Sequence, residues 1–120
     1  MALILVADDD RVSRAMLCGL LQERGHRVVE AADGNQAVEL CSKNAFDLVF
    51  MDIFMPEKDG IQAAKAIAAD LPGVKIVAMS GGSTFTATES LKWAKRYCAR
   101  VLAKPFEEEA ILTLLRELLG

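Results

Sequence analysis

The feature that most restricts what this chain can become is an alternation that runs along its whole length. Short apolar runs rich in Val, Ile and Leu take turns with longer segments in which apolar residues recur every three or four positions. The runs lie at 2–7, 27–31, 47–51, 74–79 and 100–103, and most are continuous rather than alternating. Continuous runs suit strands that are covered on both faces, as in a parallel sheet. Between them, Val12, Met16, Gly19 and Leu20 form one helical stripe, Ile61, Ala64, Ile67, Ala68 and Leu71 a second, and Ile111, Leu114, Leu115 and Leu118 a third. Punctuation agrees: Gly25 follows the first helix, Asp33-Gly34 opens the second, and Asp59 stands where an N-cap carboxylate accepts from the third. Five βα units of this kind predict an α/β fold, a doubly wound five-stranded parallel sheet with helices on both faces and right-handed crossovers.

With 120 residues the chain fits a single domain spanning 1–120, with no linker and no internal repeat. Met1 and the missing linker favour a free-standing protein over a domain cut from a larger one. No apolar run approaches the roughly 18 residues of a membrane span, and no basic stretch follows Met1, so a cytoplasmic protein without a membrane partner is expected. Cys18, Cys41 and Cys98 are odd in number and far apart, which suits small core hydrophobes in a reducing compartment better than disulfides or zinc ligands. A net charge of −3 and the lack of a basic face argue against direct nucleic-acid binding.

In doubly wound sheets, ligands bind beyond the carboxyl ends of the strands. The residues found there are Asp8, Asp9 and Asp10 after the first strand, Asp52 after the third, Ser80 after the fourth and Lys104-Pro105 after the fifth; the second strand contributes nothing. Each has an ordinary explanation. An acidic triplet can be a helix N-cap with solvated neighbours, Asp52 a turn residue before Pro56, Ser80 part of a turn, and Lys104 a surface lysine. Their convergence on four of five strand ends is harder to explain by turn chemistry. Carboxylates gathered this way repel by about 4 kcal/mol per pair at 4 Å and an effective dielectric near 20. An oxygen-rich site with one lysine and without His or Cys suits a hard cation, Mg²⁺ before Ca²⁺, because few protein ligands leave room for water and phosphate. A carboxylate nucleophile, a cation, a lysine and a hydroxyl are the parts of a phosphoryl-transfer site.

Over its whole length the chain resembles the response-regulator receiver family, in its single-domain, chemotaxis-regulator-like form. The resemblance rests on Leu3-Ile-Leu-Val-Ala-Asp-Asp-Asp10, Asp47-Leu-Val-Phe-Met-Asp52 followed by Met55-Pro56 and Asp59-Gly60, Met79-Ser80-Gly81, and Val101-Leu-Ala-Lys104-Pro105-Phe106. It implies a flavodoxin-like sheet of order 2-1-3-4-5. It also implies a phosphoacceptor at Asp52, Mg²⁺ bound by Asp9 directly, by Asp8 through water, and by Asp52 and the carbonyl of Phe54, with Ser80 and Lys104 on phosphoryl oxygens. A cis Lys104-Pro105 bond is part of the same expectation.

By that resemblance the protein accepts a phosphoryl group from a histidine kinase or histidine phosphotransfer protein and switches binding of a downstream protein. It catalyses only its own phosphorylation and dephosphorylation, as a monomer or as a dimer formed on phosphorylation. The donor is expected over the first helix, where Arg11, Ser13, Arg14 and Cys18 lie off the stripe, and over the loop after the fifth strand, and the output partner near Trp93 and Tyr97. Three positions depart from the family pattern: Val101 replaces a common aromatic, Cys98 a common glycine, and Phe54 a usually smaller or polar residue.

Two other readings compete. Asp8-Asp9-Asp10-Arg11-Val12 fits the D-x-D-x-V signature of haloacid-dehalogenase-type phosphatases, but Asp52 is then unexplained and only Glu107, Glu108 and Glu109 follow the lysine. A degenerate receiver that serves only for docking should have lost an acid, the hydroxyl or the lysine, and all are present.

Overall fold

The computed structural model describes residues 1–53, 60–81, 98–104 and 107–120, with only the backbone described at Ser80, Gly81 and Ala103. The elements are β1 (Leu3–Ala7), α1 (Arg11–Glu23), β2 (Arg27–Ala31), α2 (Gly34–Lys43), β3 (Leu48–Asp52), α3 (Gly60–Asp70), β4 (Lys75–Gly81), β5 (Arg100–Lys104) and α4 (Glu108–Leu119). All strand pairs are parallel, and the order is β2-β1-β3-β4-β5. Strand order reverses between β1 and β3, which opens a crevice at their carboxyl ends.

Successive strand residues point to opposite faces, so each continuous apolar run feeds two cores. Ile4, Val6, Leu48, Phe50, Val77, Met79 and Leu102 pack with Leu17 and Leu21 of α1 and with Ile111, Leu114, Leu115 and Leu118 of α4. Leu5, Ala7, Val49, Met51, Ile76 and Ala78 pack on the other face with Ala37 and Cys41 of α2 and Ala63, Ala64 and Ile67 of α3. Val101 lies partly buried against this second core, which also takes in Cys98. All three cysteines are buried and unpaired, and burial pushes each thiol up to about 11, so they behave as core hydrophobes. Among the described residues no helix is long and apolar enough to cross a membrane.

Helix ends follow their caps. Asp33 accepts from the Gln36 amide at 2.8 Å while the Gln36 side chain accepts from Ala32 at 2.9 Å, a reciprocal arrangement that fixes the start of α2. Gly25, at φ 86°, follows the Arg24 cap of α1 in the left-handed region that glycine favours. Asp59 lies outside the described residues, as do Trp93 and Tyr97.

Of the stripe expected on α1, Leu20 is partly buried against the first core, but the other end of the stripe faces outward. Val12 and Met16 are each 67% exposed, whereas Leu17, Cys18 and Leu21 are buried. The inward row is therefore Arg14, Leu17, Cys18 and Leu21, nearly opposite the predicted one at 3.6 residues per turn. The arginine in that row disguises it as a polar face, and the geometry below explains why it is there. Of the residues expected outside the stripe, only Arg11 is exposed, Ser13 and Arg14 are half-buried, and Cys18 is in the core.

Candidate functional site

Register and strand ends place the site. Ala7 pairs with Met51, so Asp8 and Asp52 come next on adjacent strands, roughly 4.8 Å apart in strand spacing. Asp52 pairs with Met79, and Met79 with Leu102, which puts Lys104 two residues further along β5. Its long stem folds back over that offset. The Lys104 ammonium donates to Asp8 Oδ2 at 2.6 Å and to Asp52 Oδ2 at 3.1 Å. The lysine side chain is 15% exposed, while Asp8 and Asp52 are 1% and 6% exposed as residues.

Two buried carboxylates on neighbouring strands are thus joined by one cation. Burial is the largest single influence on Lys104 and disfavours its charge. The hydrogen bonds and charges of Asp8 and Asp52 together outweigh it, and the lysine pKa rises above its ordinary 10.5.

Asp8, Asp9 and Asp52 each offer a carboxylate oxygen, all within 4.8 Å of one another. In an octahedral Mg²⁺ shell, opposite ligands lie about 4.2 Å apart, twice a 2.1 Å bond. The cluster therefore matches such an ion after a small contraction or with one ligand acting through water. Asp8 Oδ1 accepts from the Asp10 amide at 2.9 Å and Oδ2 from Lys104 at 2.6 Å. The donor set is all oxygen, as a hard cation prefers.

Asp10 is spent on structure. Its carboxylate caps α1, accepting from the Val12 amide at 3.3 Å and the Ser13 hydroxyl at 2.6 Å. The Ser13 bond, followed by the backbone bonds, holds its carboxyl below the usual range. Glu107, Glu108 and Glu109 are exposed at the start of α4, where their charge suits the helix dipole.

The structure thus brings together Asp8, Asp9, Asp52 and Lys104 and leaves Asp10 aside. The Ser80 backbone lies in β4 one residue short of its end, and its side chain is outside the described atoms. Phe54, Pro105 and Phe106 lie outside the described residues.

The sequence pattern put Arg14 on an outer docking face and gave Glu30 no role, yet both reach the site. The Arg14 guanidinium donates to the Asp8 carbonyl oxygen at 2.6 Å and to Glu30 Oε1 at 3.0 Å. So the second strand does contribute to the site. A signal existed in the charge standing in the last turn of an apolar run, Arg27-Val-Val-Glu-Ala31.

Comparison with known proteins agrees with this geometry. Residues 4–116 match the family model described as the response regulator receiver domain. The chain is 33% identical to the PilH protein of Pseudomonas aeruginosa across 100% of this chain and 99% of that protein. It superimposes with a TM-score of 0.88 on the receiver domain of the sensor histidine kinase PA1611 from Pseudomonas aeruginosa, solved with a magnesium ion in its active site cleft, at 28% identity and covering 99% of this chain and 98% of that one. A response regulator from Burkholderia pseudomallei, solved with a phosphorylated aspartic acid, calcium and citrate, gives a TM-score of 0.79 at 25% identity over 94% of this chain and 65% of the other. Nothing among these similarities supports a phosphatase of the dehalogenase type. Two buried aspartates at the sheet's switch point, a bridging lysine and a family match over nearly the whole length lead to one conclusion: the chain belongs to the response-regulator receiver domain family.

Proposed function

We propose that residues 1–120 form one receiver domain in which Asp52 accepts a phosphoryl group from a phosphohistidine and, in doing so, changes which downstream protein the domain binds. The observation that carries this is the Lys104 bridge between Asp8 and Asp52 beside Asp9, a preassembled set of charges for phosphoryl transfer. An Asp52 carboxylate oxygen attacks phosphorus, the O–P bond forms as the donor N–P bond breaks, and the electron pair leaves with the imidazole. Lys104 then exchanges a carboxylate oxygen for a phosphoryl oxygen, so the ammonium stays paired throughout. Ser80 would hold a second phosphoryl oxygen.

Bound at Asp8, Asp9, Asp52 and the Phe54 carbonyl, Mg²⁺ would supply the positive charge that offsets carboxylates and phosphate together. The retained acids and lysine favour an active receiver over a docking module. Such a domain catalyses only its own phosphorylation and dephosphorylation and works as a cytoplasmic monomer, with a dimer on phosphorylation as the alternative.

The ion should stabilise the native state by linkage, since it binds where carboxylates meet. Millimolar Mg²⁺ is expected to raise the melting temperature, and Asp9→Ala to abolish the rise while itself melting higher than wild type without metal. A wild-type protein indifferent to Mg²⁺ contradicts the metal assignment.

A phosphohistidine must approach along the line of the Asp52 oxygen, so its protein covers the pocket rim. Beside that rim, α1 leaves Arg11, Val12, Ala15 and Met16 exposed. These replace Arg14 and Cys18 in the docking face, because both of those point inward. Met16→Glu should slow transfer from a histidine phosphodonor about tenfold, roughly 1.4 kcal/mol of barrier, while labelling by acetyl phosphate stays at the wild-type rate. Equal slowing with both donors would place the damage in the fold instead.

A further inference from the structure

We infer that Arg14 is a positioning residue of the acidic pocket: it fixes the β1–α1 corner that carries Asp8 and Asp9, and Glu30 of β2 aims it. The inference rests on the metal-site reading above and adds residues to it.

Arg14 faces inward, with its side chain only 17% exposed, on the row of α1 that otherwise holds Leu17, Cys18 and Leu21. A charged residue in such a row needs partners, and two fixed ones are present. One guanidinium N–H meets the Asp8 carbonyl oxygen at 2.6 Å, and Nε meets Glu30 at 3.0 Å. The planar fork of arginine serves both in one orientation, which a lysine ammonium cannot do as a point donor.

The same corner is held from other sides. The Asp8 amide donates to the Ala31 carbonyl at 3.0 Å, and the Asp10 amide to Asp8 Oδ1 at 2.9 Å. Arg14 closes this set by gripping the remaining backbone atom of Asp8, its carbonyl oxygen. It thereby ties α1, β1 and the β2 edge strand together next to the carboxylates. Arg14 bonds the backbone carbonyl of Asp8 and the Glu30 carboxylate, so its influence on the pocket passes through the Asp8 backbone.

Charge and position predict opposite signs. Removing a cation beside an acidic pocket strengthens Mg²⁺ binding by Coulomb's law, whereas loosening the corner weakens it. Calorimetric titration of Mg²⁺ into the metal-free protein at constant ionic strength separates them. The expected result is a dissociation constant raised about tenfold in Arg14→Ala, about threefold in Arg14→Lys, and little further in Arg14→Ala/Glu30→Gln, since Glu30 acts only through the arginine. Unchanged or tighter binding in Arg14→Ala overturns the inference, as does full additivity in the double variant.

Amide hydrogen exchange at Asp10, followed by NMR without metal, gives a second and independent reading. It should quicken about tenfold in Arg14→Ala, and several-fold in Glu30→Gln, whose exposed carboxylate makes folding failure improbable as a cause. If Arg14→Ala does not fold, the Arg14→Lys and Glu30→Gln measurements decide, and wild-type exchange in both rejects the role. A wild-type protein that gives no heat with Mg²⁺ rejects the metal site; Asp10 exchange then judges Arg14 alone.

Discussion

Replacing Gly60 with alanine is expected to destabilise the protein by roughly 3 kcal/mol or more, at or beyond the top of the usual range for overpacking. In an ordinary helix the same exchange stabilises by about 1 kcal/mol, so the sign is the test. A Cβ at Gly60 would lie 2.0 Å from the Asp52 carbonyl oxygen, 2.4 Å from Ile53 Cα and 2.7 Å from the Asp52 carbonyl carbon. All three are backbone atoms of the site's central strand and its exit. They cannot yield cheaply, because the Ile53 amide is bonded to Met79 at 3.0 Å and the Gly60 amide to Ile53 at 3.2 Å. Relief has to come from α3 moving outward, which loosens Ala63, Ala64 and Ile67 in the core, or from Asp52 moving. Urea unfolding measures the loss, and a midpoint equal to or above wild type would show that α3 does not press on the Asp52 backbone.

Lys104→Met should have the second large effect. Methionine keeps much of the stem but removes the ammonium that joins Asp8 and Asp52. Removing one partner from a fully buried ion pair costs about 3–5 kcal/mol. With 15% of the lysine side chain exposed, a loss of about 2–4 kcal/mol is expected in metal-free protein at neutral pH. Mg²⁺ should then raise the melting temperature of the variant more than that of wild type, since no ammonium competes for the same oxygens. A variant as stable as wild type, with an equal response to Mg²⁺, would contradict the bridge.

The pH dependence has a defined sign. The folded lysine pKa is raised above its ordinary 10.5, so its contribution is complete below that pH and is lost as pH climbs through the folded value. The stability gap between wild type and Lys104→Met should therefore hold steady from neutral pH to about 10 and close in more alkaline solution.

Much of the fold and site could be read from the sequence because both rest on local patterns. Each strand run was long enough to be unmistakable, and Asp8, Asp52 and Lys104 stand at or just beyond strand ends, where a parallel sheet gathers them whatever the details of packing. The α4 stripe of Ile111, Leu114, Leu115 and Leu118 is the buried set. On α1 the same method chose the wrong face. Val12 and Met16 gave the cleaner apolar spacing, and only the tertiary contact of Arg14 with Asp8 reveals why a charged residue sits on the inner row. Glu30 escaped for the same reason, since its role depends on a helix packing over its strand. Gly60 was visible as a motif residue, but its steric necessity depends on how closely α3 approaches β3.

Whether Asp52 is the single phosphoacceptor can be read from the intact mass after incubation with acetyl phosphate and Mg²⁺. One added phosphoryl group is expected on wild type, with its loss when Mg²⁺ is chelated beforehand and no adduct on Asp52→Asn. An adduct formed on Asp52→Asn with wild-type yield would contradict that assignment.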